Sequence, residues 1–208
     1  MVDEGTSPAR PRRVAGIDVG GARKGFHVCV LEGGSLLHPP SNISASDGVA
    51  DLLTGLRVAV AAVDAPCGPA CPGESSREGE RELRKKVCGI RYTPDLDAMR
   101  SHPRDFYGWI LNGLDLYAAL DGAGITCVEC FPTATFTRVA GPRRTRSRAR
   151  WTTEALEELG LSGLIGRSNQ DERDALAAGL TAQAYLADEV ETFCDIVVPR
   201  EGWRPNAD

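Results

Sequence analysis

Residues 14–33 read VAGIDVGGARKGFHVCVLEG, and this stretch decides the fold. Two apolar, β-branched runs, 14–19 and 26–33, flank the glycine-rich GGARKG, where the Gly20–Gly21 pair suits a reversal. The spacing predicts two strands folded back on each other at the start of a sheet. Asp18 stands inside the first run, where the strand would end. A carboxylate there cannot be buried without a partner or an ion. The competing reading is a turn aspartate bonding the amides of Gly20 and Gly21.

Further along, residues 35–37 suit a third, edge strand ended by Pro39 and Pro40. SDGVADLLTGL suits a short helix capped by Ser46 or Asp47, with Gly55 near its end. RVAVAAVDAP is apolar without alternation, so it predicts a central strand buried on both faces and stopped by Pro66. The segment 67–104, rich in Gly, Pro and charge, reads as an insertion over the strand ends with a helix in SSREGERELRKKV. From 103 to 120 a stripe of Phe106, Ile110, Leu114 and Tyr117 predicts a core-packing helix. ITCVECFP is the next strand, followed by an arginine-rich segment. WTTEALEELGL predicts a helix capped by Thr152 or Thr153 and closed by Gly160. A long helix runs from Ser168 to Leu186, and DIVVP returns to the body of the domain.

Three hairpin-like strands followed by two strands reached through helical crossovers describe an α/β fold. It is a mixed sheet of three antiparallel plus two parallel strands, with helices on both faces. A polar arm, 1–13, precedes a single domain, 14–200, and a tail, 201–208, follows.

Acidic residues recur where these elements end. Asp64 closes VAVAAVDAP, and a capping role is less natural there because the Pro66 nitrogen donates nothing. Glu129, in a strand, needs a metal, an arginine or a shared proton. Asp171 and Asp174 are three apart on the last helix and share a face. Ser168-Asn169-Gln170-Asp171 also has capping-box spacing, which would explain Asp171 without chemistry. Asp174 has no such explanation. Carboxylates held within a few ångströms repel by roughly 4 kcal/mol per close pair at an effective dielectric near 20. A divalent cation, Mg²⁺ or Mn²⁺, is the simplest relief.

The chain has 208 residues and a formal net charge of −5, which suits one well-buried domain and argues weakly against a protein that coats nucleic acid. Its cations are clustered. Arg138, Arg143, Arg144, Arg146, Arg148 and Arg150 fall in TRVAGPRRTRSRAR, and Arg81, Arg84, Lys85, Lys86 and Arg91 in RELRKKVCGIR. Either cluster can attract a polyanion locally or be a solvated face. Lys24 can also approach a phosphate, although GGARKG lacks the glycine spacing of a phosphate loop. Seven cysteines, with no secretion signal, read as reduced thiols. Cys127 and Cys130 would point to opposite faces of a strand, against a thiolate zinc site. His27 reads as structural. No apolar run is long enough to span a bilayer, and a cytoplasmic protein is expected.

The order of motifs resembles the ribonuclease H-like superfamily. More closely, VAGIDVGGARKGF, VDAPCGPACPGESSREGERELR, GIRYTPD, FYGWILNGLDLY, ECFPTATF and NQDERDALAAGLTA resemble a prokaryotic family of predicted nucleases, domain of unknown function 429, over about residues 14 to 200. The resemblance implies that Asp18 is the first-strand aspartate of the superfamily and Asp64 the acid ending the fourth strand. It also implies that Asp171 or Asp174 is the acid of the last helix. DERDALAAGLTA is similar to the corresponding helix of Holliday-junction resolvases. Glu129 belongs to the family's own motif. The implied activity is phosphodiester hydrolysis with two Mg²⁺ or Mn²⁺ ions. Asp18, Asp64 and Asp174 would bind the ions together with Asp171, and Glu129 would assist or act as base. Lys24, Arg143, Arg144, Arg146 and Arg148 would grip the phosphates of nucleic acid or another phosphoester. Two other readings stand beside it: an ATP-dependent phosphotransferase, since GIDVGG resembles the first phosphate motif of actin-like kinases, and a non-catalytic binding module whose carboxylates pair with local arginines.

Overall fold

A computed structural model describes residues 12–103, 105–161 and 168–205. Most of the expected arm and the last residues of the tail lie outside the described residues, as does Arg104 at the end of the expected insertion.

The hairpin forms as read. β1 (Arg13–Val19) pairs antiparallel with β2 (Phe26–Glu32). Its turn is closed by Gly20 N donating to Gly25 O, with Gly25 at a positive φ of 69°. β3 (Ser35–Ile43) continues straight through Pro39 and Pro40, which the sequence reading took as its end. Two register shifts explain this. Val28 opposes Ser41 but Val30 opposes His38, so the prolines share a bulge on an edge strand, where a missing N–H costs no ladder bond.

β4 (Val60–Asp64) and β5 (Thr126–Cys130) run parallel to β1. Three antiparallel strands, two parallel ones and helices on both faces make the mixed α/β sheet expected from the sequence. Two short strands extend it: β7 (Ile196–Pro199), parallel to β5, and β6 (Val190–Phe193) at the edge, giving the order β3-β2-β1-β4-β5-β7-β6.

Strand alternation sorts the core into two layers. Val14, Val60, Ala62 and Val128 face α5 (Pro132–Ala140), α6 (Arg148–Glu158) and α7 (Gln170–Leu186), meeting Phe136, Trp151 and Leu176. Ala15, Ile17, Ala61 and Val63 face α1 (Ser46–Gly55) and α4 (Gly108–Gly122), meeting Leu53, Leu116 and Leu120. A third cluster joins α2 (Glu78–Lys86) to the β7–β6 end through Leu83, Phe193 and Val198. α3 (Leu96–Ser101) is capped by Asp95.

Several helix boundaries differ from the sequence reading. α1 has no side-chain cap, with Ala45 at the cap position. α4 starts at Gly108, so Phe106 lies outside it and exposed, and the buried face is Ile110, Gly113, Leu116 and Leu120. α6 begins in the arginine-rich segment, capped by Ser147, whose hydroxyl accepts from Arg150 N. That leaves Thr152 buried inside the helix, where it accepts from Arg173 Nε at 2.9 Å. The box opening α7 is Asn169 with Glu172, one residue later than expected, which takes Asp171 out of it. α5 was not anticipated; its proline at the first turn is the signal that marks it. Among the described residues no helix is long and apolar enough to cross a membrane.

Candidate metal centre

β1 and β4 lie side by side with Asp18 in register with Asp64 at their C-terminal ends. Both carboxylates follow the alternation of Val14 and Val60, so both project to the face that α7 covers. α7 comes unusually close to that face. A Cβ on Gly16 would stand 2.0 Å from Ala175 O and 2.1 Å from Gly179 N, so only glycine admits the helix there. The helix backbone therefore rides on β1, and its first turns overhang the strand ends with Asp171 and Asp174.

One oxygen from each of Asp18, Asp64 and Asp174 lies within 4.8 Å of the others. Asp18 and Asp174 are buried, and Asp64 is partly accessible. The Asp18 carboxyl is pushed up to about 7, first by burial, then by Asp174 and Asp171, against the pull of Lys24 and Arg148. Asp64 is raised well above the usual range by burial and by Asp18 and Asp174. Burial raises Asp174 too, opposed by Arg148 and Gln170. Its Oδ2 accepts from Arg148 Nη2 at 2.8 Å and its Oδ1 from Gln170 Nε2 at 2.9 Å. Asp171 pairs with Lys24 Nζ at 2.6 Å. A group of carboxyls raised together by burial and mutual repulsion suits a divalent ion, which neutralises them at once.

Glu129 is not brought into this group. It is in register with Val63, which faces the α1 and α4 layer, so its side chain leaves the sheet on the other side from Asp18 and Asp64. There it meets Arg77 in a two-bond ion pair, with Nη1 donating to Oε2 at 2.8 Å and Nη2 to Oε1, and it also accepts from Cys67 N at 2.8 Å. The arginine comes from the cap of α2. Glu80 completes the cluster, taking Arg77 Nε at 3.2 Å and Thr93 N at 2.9 Å. All three charged side chains are buried.

The cationic segment divides. Arg146 and Arg150 pair with Glu154, and Arg138 with Glu191 and Glu201. Arg143 and Arg144 are exposed. Arg143 and Arg148 line a cleft of about 480 Å³ with Phe131, Thr137 and Trp151. In the second cluster Arg84, Lys86 and Arg91 lie over the rings of Tyr92, Phe193 and Phe106. All seven cysteines are free.

His27, read as structural from the sequence, lies beside the carboxylates. The histidine stands directly across from Asp18 in the hairpin and joins it and Asp171 in a second group of potential ligand atoms, again within 4.8 Å of one another. The hairpin register was the available signal. Once Val19 is paired with Phe26, Asp18 must face His27.

No family model matches the chain. Among curated proteins it is 30% identical, over 116 residues, to a phosphoenolpyruvate transferase of Kitasatospora aureofaciens, an alignment covering 54% of this chain and 36% of that protein. The chain thus spans about a third of the length of that relative. Among solved structures it is similar to Thermus thermophilus RuvC, at 18% identity and a TM-score of 0.49, covering 85% of this chain and 95% of that one. It is also similar to T. thermophilus RuvC in complex with Holliday junction substrate, at 19% identity and a TM-score of 0.47 over the same shares.

Proposed function

We propose that the protein is a metal-dependent nuclease in which Asp18, Asp64 and Asp174 hold Mg²⁺ or Mn²⁺, with Asp171 beside them. The observation that carries this reading is the meeting of those three carboxylates at one sheet edge, raised by burial and by one another. Bound divalent ions would activate water and steady the leaving oxygen of a phosphodiester. The chain's own residues supply the frame. Asp18 and Asp64 are fixed by neighbouring strands, and Asp174 by a helix that Gly16 lets close. Arg148 lies beside the carboxylates and also lines the cleft with Arg143, so a phosphate bound there would sit next to the ion site. Lys24, which pairs with Asp171, would add positive charge at the ion site, and Arg144 and Arg146 would add it in the segment that carries Arg143 and Arg148.

Glu129 is a positioning residue in this reading. Its bonds to Arg77 and Cys67 hold the end of β5 and the chain that follows β4 beside Asp64. The likeness to a phosphoenolpyruvate transferase covers barely half of the chain and supplies no second reading of the site.

The test is cleavage of labelled single-stranded, duplex and branched DNA, and of RNA, with Mg²⁺ or Mn²⁺. Ion-dependent cleavage that Asp64→Asn and Asp174→Asn abolish is the expected result. Failure to cut any of these substrates with either ion, or undiminished cleavage by Asp64→Asn, overturns the proposal.

A further inference from the structure

His27 is buried, and its Nδ1 has no hydrogen-bond partner. A buried ring nitrogen left without a partner is costly, and structures rarely tolerate one without a reason. Strand alternation puts the ring on the α7 face, with Cys29 and Leu31, and the hairpin register aims it at the Asp18 carboxylate. Nδ1 stands 3.9 Å from Asp18 Oδ2. That is too far for a hydrogen bond. It is within reach of two ligands sharing one ion, which at bonds of about 2.1 Å can be up to about 4.2 Å apart. Asp171, reaching down from the first turn of α7, completes the trio.

We propose that Asp18, His27 and Asp171 form a second cation subsite, joined to the Asp18–Asp64–Asp174 group through Asp18, and that His27 makes it select a first-row transition-metal ion over Mg²⁺. The selectivity follows from the donor. Imidazole nitrogen is a good ligand for transition metals, whereas Mg²⁺ takes oxygen. The same edge thus offers two unlike subsites, one all carboxylate and one mixed. Lys24 now holds Asp171, but its side chain is 55% exposed, and an exposed ion pair contributes little and yields to a divalent ion. The inference rests on the carboxylate reading above, and its test separates the two.

The full-length chain is titrated with Mn²⁺ in the presence and absence of Mg²⁺, free Mn²⁺ is counted by electron paramagnetic resonance, and bound Mn²⁺ is examined for spin-echo modulation from a coordinated nitrogen. The nitrogen signal reports on His27, because His38 bonds Ser41 on β3 and His102 stacks with Phe106 and Tyr107. The native chain is expected to bind two Mn²⁺ and to show the modulation. His27→Gln should lose the modulation and weaken one Mn²⁺ at least about tenfold, while its Mg²⁺ affinity changes less than about twofold. Asp171→Asn should lose the same ion. Circular dichroism in EDTA checks that both variants fold.

Two unchanged Mn²⁺ sites in His27→Gln, or no nitrogen modulation in the native chain, overturns the inference. If Asp64→Asn and Asp174→Asn each lose an ion while His27→Gln loses none, the carboxylate reading stands and only this inference falls. If the native chain binds no ion, both fall.

Discussion

Asp18→Asn should stabilise the ion-free protein, and by an amount that depends on pH. The Asp18 carboxyl is raised from 3.8 to about 7, and its side chain is only 12% exposed, so solvent screens the effect little. A rise of roughly three units corresponds to about 4 kcal/mol. The sign follows from proton binding. Between about pH 4 and pH 7 the folded protein keeps a proton that the unfolded chain releases, so stability falls as pH rises through that window. Below it the carboxyl costs nothing, and above it the whole penalty is present. Asparagine keeps the shape and removes the charge. In EDTA at pH 7.5 the variant should be more stable by about 2–4 kcal/mol, or roughly 5–15 °C in midpoint. At pH 4 the two proteins should melt together. The assay is thermal or urea unfolding from pH 4 to 8, repeated with millimolar Mg²⁺ or Mn²⁺, which should raise the native midpoint far more than the variant's. A variant less stable than the native chain in EDTA at pH 7.5, or stability curves that run parallel from pH 4 to 7, would refute the reasoning.

Arg77→Met should cost about 3–5 kcal/mol, because it strands Glu80 and Glu129 as buried, unpaired carboxylates. Urea unfolding measures it, and Glu129→Gln in the same chain should recover part of the loss. Arg148→Ala removes a cation that competes for Asp174. Since that side chain is 42% exposed, calorimetry should find divalent-ion affinity up by no more than about fivefold, and a fall would contradict the competition. Gly16→Ala would push α7 off β1, and we expect a loss of more than about 3 kcal/mol, or no soluble folded protein, as read by circular dichroism and yield.

The sheet was legible because its strands carry their own punctuation. VAGIDVGG and VAVAAVDAP are apolar runs closed by an acid and then glycine or proline, and both fold as read. Long-range pairing was not legible. β6 and β7 are four residues each, too short to show a period, and they exist because α2 and α5 pack beside them. Pro39 and Pro40 misled because a proline rule written for inner strands was applied to an edge with a bulge. At the site, Asp18, Asp64 and Asp174 could be nominated from sequence, since a strand end or helix start is where a carboxylate meets its neighbours. Their separation from Glu129 could not, because face depends on register as well as alternation. The cation clusters were visible as composition, but composition does not say which arginine meets Glu154 and which lines a cleft.

The contrast between Glu129 and the Asp18–Asp64 pair bears on whether the carboxylates are structural. A buried carboxylate retained for the fold should be satisfied by the protein, and Glu129 is: two guanidinium bonds and a backbone amide occupy its oxygens. Asp18 and Asp64 differ in kind. Among the described residues neither accepts a side-chain hydrogen bond or a lysine or arginine ion pair, although Lys24 and Arg148 stand close enough to pair with Asp171 and Asp174. The Gly20 amide, which a turn aspartate would have claimed at Asp18, donates to Gly25 O instead. Nor is their proximity incidental. Parallel register sets them side by side, and the close approach at Gly16 brings a third acid over them, at a cost that repulsion makes larger. A module whose carboxylates pair with local arginines would resemble Glu129 throughout. This chain solves that problem for Glu129 on one face of its sheet and, on the other, only for Asp171 and Asp174, leaving Asp18 and Asp64 for an ion to satisfy.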